Sequence, residues 1–125
     1  MEEHPNARLV RQALAAFNQG DFEQFGAMMA DDINWHEVGA SEPVRGKEAV
    51  FSSMGAGGQD FEIEAEVHDV VANDDHTLAL INATGKRGDQ TFHYQTVEVL
   101  HFRDGKVTDR WSFANDTQAV KDFFS

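Results

Sequence analysis

Polar and apolar positions change period along this chain, from mostly helical spacing in the first part to alternation from Phe61 onward. Leu9, Val10, Ala13, Leu14 and Phe17 recur every three or four residues behind Pro5, and Asn18-Gln19-Gly20 breaks the pattern, which predicts an amphipathic helix. Asp21 is placed to cap a shorter helix carrying Phe22, Phe25, Met28 and Met29, after which Asp31-Asp32 leads into a first strand. In that strand Ile33, Trp35 and Glu37 share one side, and Asn34, His36 and Val38 the other. Past Ser41-Glu42-Pro43, Gly46 introduces a third short helix through Ala49, Val50 and Met54. Then Phe61, Ile63, Ala65 and Val67 alternate with Glu62, Glu64, Glu66 and His68, a strand with one wet face. Turn signals at Asn73-Asp74-Asp75, Gly85 to Asp89 and Asp104-Gly105 delimit strands at His76 to Thr84, Gln90 to Arg103 and Lys106 to Phe113. Four hairpin-linked strands are expected. Asp116 is placed to cap a last helical turn with Val120, Phe123 and Phe124. Helices followed by a meander predict an α+β fold: a curved antiparallel sheet wrapped around N-terminal helices, forming a cone-shaped pocket within one domain spanning residues 1–125.

Composition narrows the partners. The 125 residues carry 22 acidic and 10 basic side chains, a formal net charge of -12, and no basic cluster longer than Lys86-Arg87. Nucleic acid and anionic membranes would be repelled, so neither is an expected partner. Without cysteine there is no disulfide framework, thiolate nucleophile or cysteine-type zinc site. The start Met1-Glu2-Glu3-His4-Pro5 lacks the features of a signal peptide, and no apolar run approaches ~18 residues. A cytoplasmic protein is expected. Ten phenylalanines suggest a broad apolar interior able to hold a small apolar molecule.

Two glutamates stand out against that interior. Glu37 shares its strand face with Ile33 and Trp35, and Glu98 shares its own with Phe92, Tyr94, Thr96, Leu100 and Phe102. A desolvated carboxylate is drawn toward its protonated form, the state useful for acid/base chemistry near neutrality. The alternatives are structural: Glu37 reaching solvent or pairing with Arg45, and Glu98 buried against a histidine or Arg110. Trp35, Tyr94, Trp111, Phe61 and Phe113 are candidates to line a ligand cavity, or else simple core. His36, His93 and His101 fall opposite the glutamates by parity and show no compact ligand spacing, so no metal site is expected. A β-bulge near Trp35 would turn His36 inward as a ligand contact or proton carrier. Asp109-Arg110 reads as a surface pair at a strand start, or as a catalytic pair. Gly55-Ala56-Gly57-Gly58 lacks the lysine of a phosphate loop and reads as a flexible connector at the pocket rim.

The order of elements resembles the nuclear transport factor 2-like superfamily, whose fold is also termed cystatin-like and which includes SnoaL-like polyketide cyclases and bacterial ketosteroid isomerases. Ala15-Ala16, Asn18-x-Gly20-Asp21, Ala30-Asp31-Asp32, Ser41-Glu42-Pro43 and Gly46 are similar to a ketosteroid isomerase without a gap from Leu9 to Val50. In that register Glu37 takes the place of the general-base aspartate. Val97-Glu98-Val99-Leu100-His101-Phe102 resembles the segment supplying a protonated acid to the oxyanion hole, an isomerase that is itself a standard example of a carboxyl kept neutral by its site. The isomerase's oxyanion tyrosine falls at Ala13, which has no donor. Trp35-His36 and the run Asp104 to Trp111 look more like the wider SnoaL-like family.

What the resemblance implies is a SnoaL-like pocket protein, either an isomerase or cyclase that moves a proton on an apolar carbonyl compound without a cofactor, or a ligand-binding or dimerisation module. Glu37 and Glu98 are the candidate catalytic residues. A homodimer is expected through the open sheet face, taken to carry Val97, Val99 and His101 beside Ala79, Ile81 and Ala83.

Overall fold

A computed structural model describes residues 3–57 and 61–125. Helix α1 (Pro5–Asn18) begins where His4 accepts a hydrogen bond from the Asn6 N–H, with proline in the first turn where its missing donor costs nothing. It buries Ala7, Val10, Ala13, Leu14 and Ala16. Gly20, at φ 78°, turns the chain into α2 (Phe22–Ala27), which Asp21 caps by accepting from the Gln24 N–H. Strand β1 (Met29–His36), the two-residue β2 (Val44–Arg45) and α3 (Lys47–Gly57) follow. The expected connector at Gly55 to Gly58 is thus helical backbone as far as Gly57, and its remainder lies outside the described residues.

The meander is formed by β3 (Glu62–Ala72), β4 (Thr77–Arg87), β5 (Gln90–Arg103) and β6 (Lys106–Ala114), each antiparallel to the next. The six-stranded sheet has the order β2-β1-β6-β5-β4-β3. One ladder departs from the antiparallel expectation, because β1 runs parallel to β6 and pairs Trp35 with Arg110 and His36 with Trp111. Helix α4 (Thr117–Phe124) is longer than the single turn expected, and Asp116 caps it by accepting from Ala119. No helix among the described residues is long and apolar enough to cross a membrane.

The core lies between α1–α3 and the inner sheet face. Met29, Ile33, Val50, Ala79 and Val107 are at most 1% exposed. Asn18, at the end of α1, donates to the Ala65 carbonyl at 2.7 Å and accepts from its N–H at 2.8 Å, so one side chain stands in for a strand partner along the outer edge of β3.

Within the meander, two bulges set which side chains face inward. In β3 the register slips between Val67↔Ile81 and Asp69↔Leu80, leaving His68 extra. In β6 it slips between Phe102↔Val107 and His101↔Asp109, leaving Thr108 extra. Regular alternation from the buried Val107 would turn Trp111 and Phe113 inward. The added residue instead brings Arg110 and Ser112 in, opposite Leu100 and Glu98, and turns Asp109, Trp111 and Phe113 out.

Candidate functional site

The sheet closes incompletely over the helices, and the space left is a cavity of about 1260 Å³ with a mostly apolar lining. Leu14 and Phe17 of α1, Phe25 of α2, Trp35 of β1 and Phe124 of α4 contribute the apolar wall. Polar groups also border it: Glu37 after β1, Tyr94 and Glu98 from β5, and Arg110 and Ser112 from β6. Both glutamates therefore border one cavity, together with Trp35, Tyr94 and Phe61.

Their settings match two of the structural alternatives, Glu37 reaching solvent and Glu98 against Arg110. Glu37 follows the last residue of β1 and is exposed, with its Oε1 accepting from Ser53 Oγ at 3.1 Å; Arg45 pairs instead with Glu42. Glu98 is 15% exposed and accepts from Arg110 Nε at 3.2 Å, with Arg110 itself 13% exposed. This charge-assisted contact commits the Glu98 oxygen as an acceptor. The neutral hydrogen-bond donor expected at Glu98 is thus replaced by half of an ion pair.

Arg110 is fixed in three ways. Besides Glu98, its Nη1 donates to the His36 carbonyl at 3.1 Å, and its guanidinium carbon lies 4.0 Å from the centroid of the Trp35 ring. Among the described residues Nη2 has no protein acceptor. Tyr94 is pushed up to about 12, chiefly by burial and then by the Glu98 charge, against a smaller opposing effect of Arg110. It is a neutral phenol at any ordinary pH, able to donate as well as accept. Ala13, where the isomerase tyrosine would fall, is 3% exposed within the helix–sheet core.

Three expected ligand contacts lie elsewhere. His36, Trp111 and Phe113 occupy the outer sheet face, where His36 stacks on Trp111 at 4.8 Å and 12°, and Phe113 is 59% exposed. No bulge turns His36 inward, since it pairs in register with Trp111. Asp109 also faces out, accepting from Asn34 and Thr108, so Asp109 and Arg110 serve opposite faces. The dimer-face expectation needs the same parity correction: Ala79, Ile81 and Ala83 are buried on the inner face, and Leu78 and Leu80 are the outer neighbours of Val99 and Val97. Among the described residues, no group of three or more His, Asp or Glu side chains is arranged to hold a metal ion. Sequence reading names Arg110 only as one alternative partner of Glu98, because its inward placement depends on the Thr108 bulge.

A helix-packed, incompletely closed sheet with one polar-tipped apolar cavity defines the nuclear transport factor 2-like class. A SnoaL-like domain model matches residues 10–110, and the chain belongs to that family. Among solved structures it is similar to Bal32a from a soil-derived mobile gene cassette, with 26% identity, 97% of each chain covered and a TM-score of 0.82. It is also similar to a nuclear transport factor 2-like protein from Burkholderia xenovorans LB400, with 27% identity, 100% and 99% of the two chains covered and a TM-score of 0.78. A putative polyketide cyclase from Xanthomonas campestris pv. campestris shares the fold, with 20% identity, coverage of 96% and 94% and a TM-score of 0.78. No curated protein matches the chain significantly.

Proposed function

We propose that the protein takes an apolar small molecule bearing a carbonyl-type oxygen into the interior cavity. The observation that carries this reading is that Arg110 and Tyr94, two groups able to donate a hydrogen bond, border the same apolar space as Trp35 and Phe124. Burial of the apolar body would supply the affinity, and the donors would fix its orientation. Trp35 is in the wall and Trp111 is outside it, so a Trp111→Phe variant isolates the reporting indole. Titration of that variant with apolar aromatic ketones should give saturable change in Trp35 emission. No change with any such ketone up to millimolar concentration would refute the reading.

A second reading adds catalysis. Glu37 borders the cavity with Oε1 held by Ser53, which supports a role for its other oxygen as a base toward a carbon next to the carbonyl. In it, Arg110 and Tyr94 would stabilise the enolate oxygen in place of the donor missing at Ala13. Deuterium exchange next to the carbonyl of a bound ketone, followed by NMR, should be catalysed by the wild type and lost in Glu37→Gln with binding retained. Equal exchange in the two proteins would exclude Glu37.

The outer face supports self-association. Leu78, Leu80, Val97, Val99, Trp111 and Phe113 form neighbouring rows without a charged residue between them. In a chain of net charge -12, this uncharged area is where a second copy can approach with least repulsion. Phe113→Glu should convert a dimer to a monomer by light scattering, and a monomeric wild type would refute the proposal.

A further inference from the structure

We infer that Glu98 sets the charge selectivity of the cavity, admitting neutral acceptor oxygens and rejecting carboxylates and other anions. The inference rests on the cavity reading above and concerns which ligands the cavity prefers. A buried arginine facing an apolar space would ordinarily mark a site for an anion, since a guanidinium matches a carboxylate in charge and geometry. Here Glu98 already occupies that role. It accepts from Nε at 3.2 Å, both side chains are at most 15% exposed, and the pair as a whole is neutral.

What the pair still offers is the N–H donors of Nη2. Nε and Nη1 are engaged by Glu98 and the His36 carbonyl, Trp35 covers one face of the guanidinium, and Nη2 is left without a protein acceptor among the described residues. A ketone or quinone oxygen can accept from Nη2 while giving up little hydration. A carboxylate must shed a costly hydration shell and would approach a guanidinium whose charge is already compensated. The other cations bordering the space, Lys86 and Lys121, are exposed and screened by solvent, so they offset this poorly.

The test uses two probes of nearly equal shape, 2-acetonaphthone and 2-naphthoate, with equilibrium dialysis against the wild type, Glu98→Gln and Glu98→Gln/Arg110→Gln at pH 7. The wild type should hold the ketone roughly tenfold or more tighter than the carboxylate. Glu98→Gln leaves the guanidinium uncompensated and should reverse the preference toward 2-naphthoate. The double variant, again neutral, should restore preference for the ketone. A wild type that prefers the carboxylate overturns the inference, and this comparison decides the matter even if Glu98→Gln does not fold. A preference unmoved in a folded Glu98→Gln also overturns it, while leaving the cavity reading intact. Failure of the wild type to bind either probe overturns the cavity reading and the inference together.

Discussion

Replacing Arg110 with methionine keeps a long apolar stem over Trp35 and removes the cation paired with Glu98. Breaking a buried pair from one side leaves an uncompensated charge, which costs about 3–5 kcal/mol. The residual exposure of 13% and 15% lets some water reach this pair, so the lower end, about 3 kcal/mol, is expected. The donor to the His36 carbonyl is lost as well, a further ~1 kcal/mol if that oxygen finds no water. With a denaturant slope of about 1.5–2 kcal/mol/M, a 3 kcal/mol loss moves the urea midpoint down by roughly 1.5–2 M. Glu98→Gln/Arg110→Met removes both charges and should recover about half of that loss, because no unpaired carboxylate remains. Equilibrium urea unfolding of the wild type, the two single variants and the double variant closes the cycle. Additive losses, or an Arg110→Met cost below about 0.5 kcal/mol, would show that the pair is not coupled as the structure requires.

Three further outcomes follow from other parts of the fold. Tyr94 is the only tyrosine, so its ionisation can be followed alone by absorbance near 295 nm; the midpoint should lie near 12, and a midpoint near 10 would contradict its buried setting. The folded phenol holds its proton more tightly than the unfolded one, so the stability this contributes is complete below about pH 10 and lost as pH rises through about 12, a loss absent in Tyr94→Phe. Gly85 faces α4, and a Cβ there would lie 3.0 Å from both Phe123 and Phe124. Gly85→Val should therefore cost about 1–3 kcal/mol and speed amide exchange in α4, and unchanged exchange would show that α4 is not seated on β4. Asn18→Ala removes both bonds to the Ala65 backbone and should cost about 1–2 kcal/mol with faster exchange at the Ala65 amide, the wild-type rate being the refuting result.

Alternation was enough to read β5, where Phe92, Tyr94, Thr96, Glu98 and Leu100 do share the inner face. It worked because β5 keeps unbroken register with β4 and its pattern is dense in aromatics. In β6 Trp111 and Phe113 read as cavity or core aromatics, and the Thr108 bulge turns them out; a bulge is fixed by the partner strand and leaves no mark in a local pattern. The parallel pairing of β1 with β6 is equally invisible locally, since it joins segments some 75 residues apart, as the Asn34–Asp109 bond shows. The starts of α2 and α4 were legible because Asp21 and Asp116 cap through their own side chains; sequence reading does not name the His4 cap of α1. The candidate site was half legible: both glutamates reach the cavity border, but the partner of Glu98 could be named only as one alternative, and Glu37 emerges just past the strand that was meant to bury it.

Whether a neutral carbonyl compound enters the cavity with its oxygen toward Arg110 can be seen in a crystal structure of the protein soaked with 2-acetonaphthone. The naphthyl ring should lie against Trp35 and Phe124, with the ketone oxygen about 3 Å from Arg110 Nη2. An empty cavity in crystals that bind the ketone elsewhere, or a ligand whose oxygen points away from the Arg110–Glu98 pair, would contradict it.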